Sequence, residues 1–202
     1  MYLNGLCFIT GKKESRLTLK EIATLALNAG IRCVQYRGKN KSRGDTYREA
    51  LMLRKLTNAF NAVFIVNDYI DIALAVNADG VHLGQEDLPL REARKILGKK
   101  IIGISTHSIE QAIEAEQGGA SYIGFGPIFH TATKDAGKPK GIKALREIKK
   151  NIKIPVVAIG GINAANLESV IASGADAVAV SSAIIQGEIA DNIIRFLTIL
   201  KK

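Results

Sequence analysis

The 202-residue chain is 47% hydrophobic and 23% charged, the balance of a soluble globular protein with enough residues for one core and no reason by length to expect two. No apolar run approaches the ~20 residues that span a bilayer, and the opening Met1–Thr10 stretch lacks the basic region of a signal peptide, so a cytoplasmic location without a membrane partner is expected. A formal net charge of +9, from 28 Lys+Arg against 19 Asp+Glu, attracts polyanions; with aromatics at 5%, no tryptophan and no basic tail or recognition motif, phosphorylated small molecules fit better than nucleic acid.

Along the chain, short apolar runs rich in β-branched residues alternate with amphipathic stretches. The pattern predicts a strand at Gly5–Ile9, a helix at Leu19–Ala29, a strand at Cys33–Tyr36 and a helix at Thr46–Asn58. It continues with a strand at Val63–Val66, a helix at Ile70–Val76, a strand at Gly80–His82 and a helix at Leu90–Leu97. The second half repeats the rhythm: strand Ile101–Ile104, helix Ile109–Gln117, strand Tyr122–Phe125, helix Lys143–Lys149. Strand Val156–Ile159, helix Ala164–Ala172, strand Ala177–Val180 and helix Ile189–Leu200 close it. Unbroken apolar strands imply a parallel sheet covered on both faces. Eight such units predict a single-domain α/β fold, the closed (β/α)8 TIM barrel, over residues 1–202. An open doubly wound sheet would carry a Gly-rich fingerprint after its first strand, which Thr10-Gly11-Lys12-Lys13 does not supply.

Several helix-to-strand turns share a theme (Asn28-Ala-Gly30, Asn77-Ala-Asp79-Gly80, Gly118-Gly-Ala120, Ser173-Gly-Ala-Asp176) and read as fold-building punctuation. Cys7 and Cys33 read as small buried hydrophobes, their spacing suggesting neither a zinc site nor a redox pair. One long connection, at about 126–141, is rich in Gly, Pro, Thr and Lys and reads as a lid that closes on an anion.

Barrel ligands bind at the C-terminal strand ends. After the second predicted strand, alternation sends Gln35, Arg37 and Lys39 to one side, a set suited to a pyrophosphate or to a water-exposed cluster at the rim. After the third and fourth strands come Asn67-Asp68 and Gly84-Gln85-Glu86-Asp87. Asp68 and Asp87 either cap the helices near Ile70 and after Pro89 or, as a pair beside cations, hold Mg²⁺, which takes one or two carboxylates plus phosphate oxygens and water. After the fifth strand, Ser105 is placed to bond a ligand and Ser108 to cap a helix, with Gln111 completing a capping box. His107 has no visible acid to orient it, His82 reads as a barrel residue, and His130 as an exposed lid residue. Gly160-Gly161 and Ser181-Ser182 follow the seventh and eighth strands, where barrels often bind phosphate through backbone N–H groups.

Taken in order, these motifs resemble the thiamine phosphate synthase family: Val34–Lys39, Val66–Asp68, Asp79–Asp87, Gly103–His107, Gly124–Lys134, Val157–Ile162 and Val180–Ala183. The resemblance implies an enzyme, a transferase coupling hydroxymethylpyrimidine diphosphate with a thiazole phosphate to give thiamine monophosphate and pyrophosphate. It also implies Mg²⁺ held by Asp68 and Asp87, and loss of the diphosphate to leave a pyrimidine-methyl cation. By the same resemblance Arg37, Lys39, Asn67 and Lys134 grip the pyrophosphate, Gln35 and Ser105 line the pyrimidine end, and Thr131 and Thr133 face the thiazole phosphate. Gly161, Ser181 and Ser182 supply phosphate donors, and Arg37, Lys39, Ser105 and Lys134 form the catalytic set. Two departures bear on substrate fit: Gly11, where the family often has aspartate, and His130, where proline is common. The rivals are a thiazole tautomerase of the same superfamily using His107, and a non-catalytic barrel that binds phosphorylated ligands. A homo-oligomer is compatible with the sequence.

Overall fold

The computed structural model describes residues 5–10, 16–131 and 137–201. Its eight strands are β1 (Gly5–Ile9), β2 (Cys33–Tyr36), β3 (Val63–Asn67), β4 (Gly80–Leu83), β5 (Ile101–Thr106), β6 (Tyr122–Phe125), β7 (Val156–Ile159) and β8 (Ala177–Val180). They pair in parallel in sequence order, and β8 returns to β1 to close the barrel. Helices α1 (Leu19–Asn28), α2 (Arg43–Ala59), α3 (Ile70–Ala75) and α4 (Leu90–Leu97) flank the first half. Around the second half run α5 (Ile109–Gln117), α6 (Gly141–Asn151), α7 (Leu167–Ile171), a one-turn α8 (Ser182–Ile185) and α9 (Ile189–Leu200).

Element order follows the apolar pattern, and the differences have local causes. Helix α2 begins at Arg43 rather than Thr46 because Ser42 caps it, its hydroxyl accepting from Asp45 N–H at 3.1 Å. Strands β3 and β5 run past their apolar cores to Asn67 and Thr106, since a ladder tolerates polar side chains at the barrel mouth. Helix α7 is shorter than its apolar stretch: Asn163 turns the chain, its side-chain oxygen accepting from Ala165 N–H at 2.9 Å. Helix α8, absent from the sequence-based expectation, is a single turn that periodicity cannot detect.

The main core lies between strands and helices, where Phe8, Val34, Phe64, Val66, Leu83, Ile123 and Phe125 meet helix residues such as Leu27, Leu53 and Phe196. A smaller cluster fills the barrel interior with Cys7, Ile9, Cys33, Tyr122, Val157, Ala177 and Ala179. Cys7 and Cys33 are buried and free, as their apolar settings imply, but the parallel register puts them side by side. The Cys33 thiol lies 3.0 Å from the Cys7 sulfur, and this contact, ahead of burial, pushes its pKa well up. Interior positions on β4, β5 and β6 are glycines (Gly80, Gly103, Gly124), which leaves room inside for larger polar side chains.

Candidate functional site

The C-terminal strand ends converge as the barrel rule requires. Arg37 lines the mouth, and its backbone N–H is tied to β1 by the hydroxyl of buried Thr10 at 3.0 Å. Burial pulls the Arg37 pKa below its ordinary value while the Asp68 carboxylate pushes back. Gln35, two residues earlier, is buried within the barrel, and Lys39, two residues later, is exposed at the rim. The alternation therefore strings an amide and two cations from floor to edge.

Asp68 and Asp87 meet. Their carboxyl groups share a hydrogen bond, and the Asp68 pKa is raised to about 6 by burial first and by Asp87 second, against the lowering effect of Lys39 and Arg37. Neither caps a helix: Tyr69 and Pro89 occupy the N-cap positions of α3 and α4, without a side-chain cap bond. Instead Asp87 accepts from Gly84 N–H at 2.6 Å, and Asp68 has a left-handed backbone with φ 68°. The Asp68 N–H donates to the His82 carbonyl at 2.9 Å, and the Asn67 side-chain amide donates to the Asp68 carboxylate. Among the described residues no group of three or more His, Cys, Asp or Glu is placed to hold a metal ion, so a cation here would find two carboxylates. Hard oxygen donors in that number suit Mg²⁺, whose remaining positions go to ligand phosphate and water. A cation held between the two carboxylates would take the place of the proton by which the pair relieves its repulsion.

Beside it opens a cavity of about 820 Å³ including its mouth, lined by Arg37, Ser105, His107, Thr131, Gly161 and Ser182 among others. Ser181 also lines it, with a buried hydroxyl that has no hydrogen-bond partner among the described residues. Gly160 (φ 96°) and Gly161 (φ 65°) do more than expose backbone to a ligand. A Cβ on Gly160 would lie 2.5 Å from the Pro127 side chain, and one on Gly161 would lie 2.4 Å from the His130 carbonyl. The glycine pair thus seats the first residues of the 126–141 connection, which Ile128 N–H and Phe129 N–H fasten to the Ile159 and Gly160 carbonyls. Thr133 and Lys134, assigned to phosphate binding, lie outside the described residues, as does Gly11.

Ser108 caps α5 by accepting from Gln111 N–H, but the Gln111 side chain accepts from His107 N–H rather than from Ser108, so the box closes one residue early. The His107 Nδ1 lies 2.7 Å from the Gly126 carbonyl, and a carbonyl only accepts, so Nδ1 carries the proton. His130 is exposed, as its place in the loop implies.

Sequence reasoning missed four contributors. Thr10 anchors Arg37, the Gln85 amide donates to the Ser105 carbonyl at 2.6 Å, His82 is the barrel residue expected but its ring also lies 2.9 Å from Ser105 Oγ, and the Tyr122 hydroxyl lies 2.9 Å from the other nitrogen of that ring. For the last two a signal existed: glycines in mid-strand at positions 103 and 124, which mark a close approach.

A family model described as thiamine monophosphate synthase matches residues 6–184. The chain belongs to this family. It is 50% identical to the thiamine-phosphate synthase of Clostridium acetobutylicum over 81% of this chain and 78% of that one. It is 48% identical to the Methanosarcina mazei thiamine-phosphate synthase over 95% of this chain and 79% of that one. A thiamine phosphate pyrophosphorylase structure from Pyrococcus furiosus superposes with a TM-score of 0.91 at 39% identity, covering 98% of this chain and 95% of that one. Family membership makes the protein an enzyme. Among the described residues no helix is long and apolar enough to cross a membrane.

Proposed function

We propose that the protein couples hydroxymethylpyrimidine diphosphate to a thiazole phosphate, yielding thiamine monophosphate and pyrophosphate, with Mg²⁺ as cofactor. The observation that carries this reading is the Asp68–Asp87 pair beside Arg37 and Lys39 at one end of the barrel. The family and the names of its relatives support it.

In this reaction the bond from the pyrimidine methylene carbon to the diphosphate oxygen breaks, and its electron pair leaves with the diphosphate. The carbon is left as a pyrimidine-methyl cation, and the thiazole nitrogen lone pair then forms the C–N bond. The demand on the protein is neutralisation of charge as it develops on the leaving group. Arg37 and Lys39 meet it from one side, the guanidinium offering a planar fork to phosphate oxygens. Asp68 and Asp87 would hold Mg²⁺, which when bound would supply further positive charge to the leaving diphosphate. Asn67 holds the Asp68 carboxylate in place, and Lys134 joins the diphosphate grip by family resemblance. Gln35 and Ser105 receive the pyrimidine, while Thr131, Thr133, Gly161, Ser181 and Ser182 take the thiazole phosphate. No side-chain nucleophile is required.

The test is pyrophosphate release by purified protein given both substrates and Mg²⁺. Release above background is expected, and thiazole isomerisation alone, lost in His107→Ala, overturns the reading in favour of a tautomerase.

A further inference from the structure

Cys7 on β1 and Cys33 on β2 are register partners inside the barrel, two residues before Ile9 and Gln35 on their strands. Both are buried and free, and the Cys33 thiol donates to the Cys7 sulfur at 3.0 Å. Paired strands run about 5 Å apart, within the roughly 4.4–6.8 Å between Cα atoms over which a disulfide closes. A separation of 26 residues along the chain gives no hint of this pairing, which the barrel register creates. Nothing in the synthase reading uses the two sulfurs.

The thiols are not equivalent. The described residues that line a small cavity inside the barrel include Cys7 but not Cys33. That cavity has room for a molecule of about water's size, with polar partners for it in Gln35, His82 and Tyr122. It shares Ile9, Gly124, Ile159 and Ala179 with the cavity at the mouth, so its walls lead from the strand ends down to Cys7. Cys33 keeps its proton, since the contact with Cys7 and then burial push its pKa well up.

We propose that Cys7 and Cys33 form an oxidative modification site, in which a small peroxide entering from the mouth oxidises Cys7 and the pair closes into a disulfide that staples β1 to β2. The Cys7 sulfur attacks one oxygen of hydrogen peroxide and the O–O bond breaks. The departing hydroxide takes the Cys7 proton and leaves as water, and Cys7 becomes a sulfenic acid. The Cys33 sulfur then attacks the Cys7 sulfur, the S–O bond breaks, and the oxygen departs as a second water with the Cys33 proton. The dithiol gives up two electrons and one peroxide is reduced. Attack by buried, protonated thiols is slow, so the pair answers sustained peroxide and not a brief pulse. The stapled strands are the two whose ends carry Thr10 and Arg37, tied by the 3.0 Å bond from Arg37 N–H to the Thr10 hydroxyl. Because the sulfurs already touch, the folded barrel moves little, while the unfolded chain loses freedom over a 26-residue span.

The experiment exposes the folded full chain to hydrogen peroxide well below its Tm, and its readouts do not depend on the synthase reading. Intact mass is expected to fall by the two hydrogens lost, both free thiols to disappear, and dithiothreitol to restore them. The oxidised form is expected to gain about 5–10 °C in Tm, a gain absent from peroxide-treated protein carrying both Cys7→Ser and Cys33→Ser. Peroxide that leaves both thiols free, or adds oxygen without forming the disulfide, overturns the proposal, as does a disulfide that leaves Tm unchanged. Cys33→Ser is expected to trap the sulfenic acid at Cys7, captured by dimedone, and Cys7→Ser to leave Cys33 unmodified; the reverse pattern overturns entry through Cys7. Alanine at the same positions replaces serine where serine unfolds the barrel. The oxidation rate of wild type should not change in mild urea that speeds global unfolding. A rate that climbs with unfolding would show that peroxide reaches the sulfurs only in the opened chain, and would overturn the route from the mouth.

Discussion

Asp68 combines a left-handed backbone, a half-buried carboxyl group and an acidic neighbour, and the last two set a charge where burial and repulsion oppose it. Asn and Asp tolerate positive φ better than other L-residues, so Asp68→Asn separates the charge from the backbone. That variant is expected to fold like wild type and to lose about a hundredfold or more in kcat, as when a group stabilising transition-state charge is removed. Asp68→Ala is expected to lose the same activity and some stability as well, which denaturation curves of the two variants resolve. The carboxyl also predicts a pH dependence in metal-free protein. Its pKa rises from the ordinary 3.8 when unfolded to about 6 in the fold, so the native state holds the extra proton between those values. The charged form therefore costs stability above about pH 6, and that cost is relieved as pH falls toward 4. In EDTA, wild type should gain stability between pH 7 and 5 relative to Asp68→Asn. Parallel pH profiles for the two proteins would show that the Asp68 carboxyl titrates at its unfolded value.

At the other end of the barrel, two of the four turns read as punctuation prove to carry a strand-locking device that recurs four strands apart. Asp79, just before β4, accepts from Phe64 N–H of β3 at 2.7 Å and pairs with Arg54 at 2.7 Å. Asp176, just before β8, accepts from Val156 N–H of β7 at 2.8 Å and pairs with Lys149 at 2.6 Å. Each carboxylate satisfies a strand-end donor with no partner further down its ladder. Asp176→Ala is expected to cost about 1–3 kcal/mol in urea denaturation, with kcat per folded molecule unchanged. Asp176→Asn, which keeps an acceptor for Val156, should cost less. The repeated Ala-Asp pair was visible in the sequence, but its purpose depends on which strand lies alongside. The same limit explains what else was hidden. Apolar runs reveal strands because burial on both faces demands them, and the barrel rule then locates Arg37, Asp68, Asp87 and Ser105 at one mouth. Register is set by tertiary pairing, so neither the Cys7–Cys33 contact nor the stacking of Tyr122 under Gly103 follows from composition or period. Tyr122 in particular reads as one more apolar strand residue until the glycine beside it is known.

Across the whole molecule, the excess of 28 basic over 19 acidic residues sets a general attraction for anions, yet the mouth gathers two carboxylates among its cations. A uniformly basic mouth would bind pyrophosphate without help. With Asp68 and Asp87 ionised, the local charge of the Arg37, Lys39 and carboxylate set is balanced, and a pyrophosphate brought there alone meets repulsion as well as attraction. A divalent cation reverses that balance, so each ligand should bind more tightly when the other is present, and by the same factor. Binding only to the folded state raises stability by about 2.7 kcal/mol at a hundredfold excess over Kd. For a chain of this size that amounts to a shift in Tm of roughly 5–10 °C. Mg²⁺ and inorganic pyrophosphate together should give such a shift, each alone clearly less, and Asp68→Asn should remove the synergy while keeping the small effect of pyrophosphate on the basic rim. Raising ionic strength should weaken the rim effect first, because exposed Lys39 is screened by salt more than the half-buried carboxylates are. Additive shifts in wild type, with no synergy for the variant to lose, would mean that the carboxylate pair does not bring cation and diphosphate together, and would remove the basis for placing Mg²⁺ at Asp68 and Asp87.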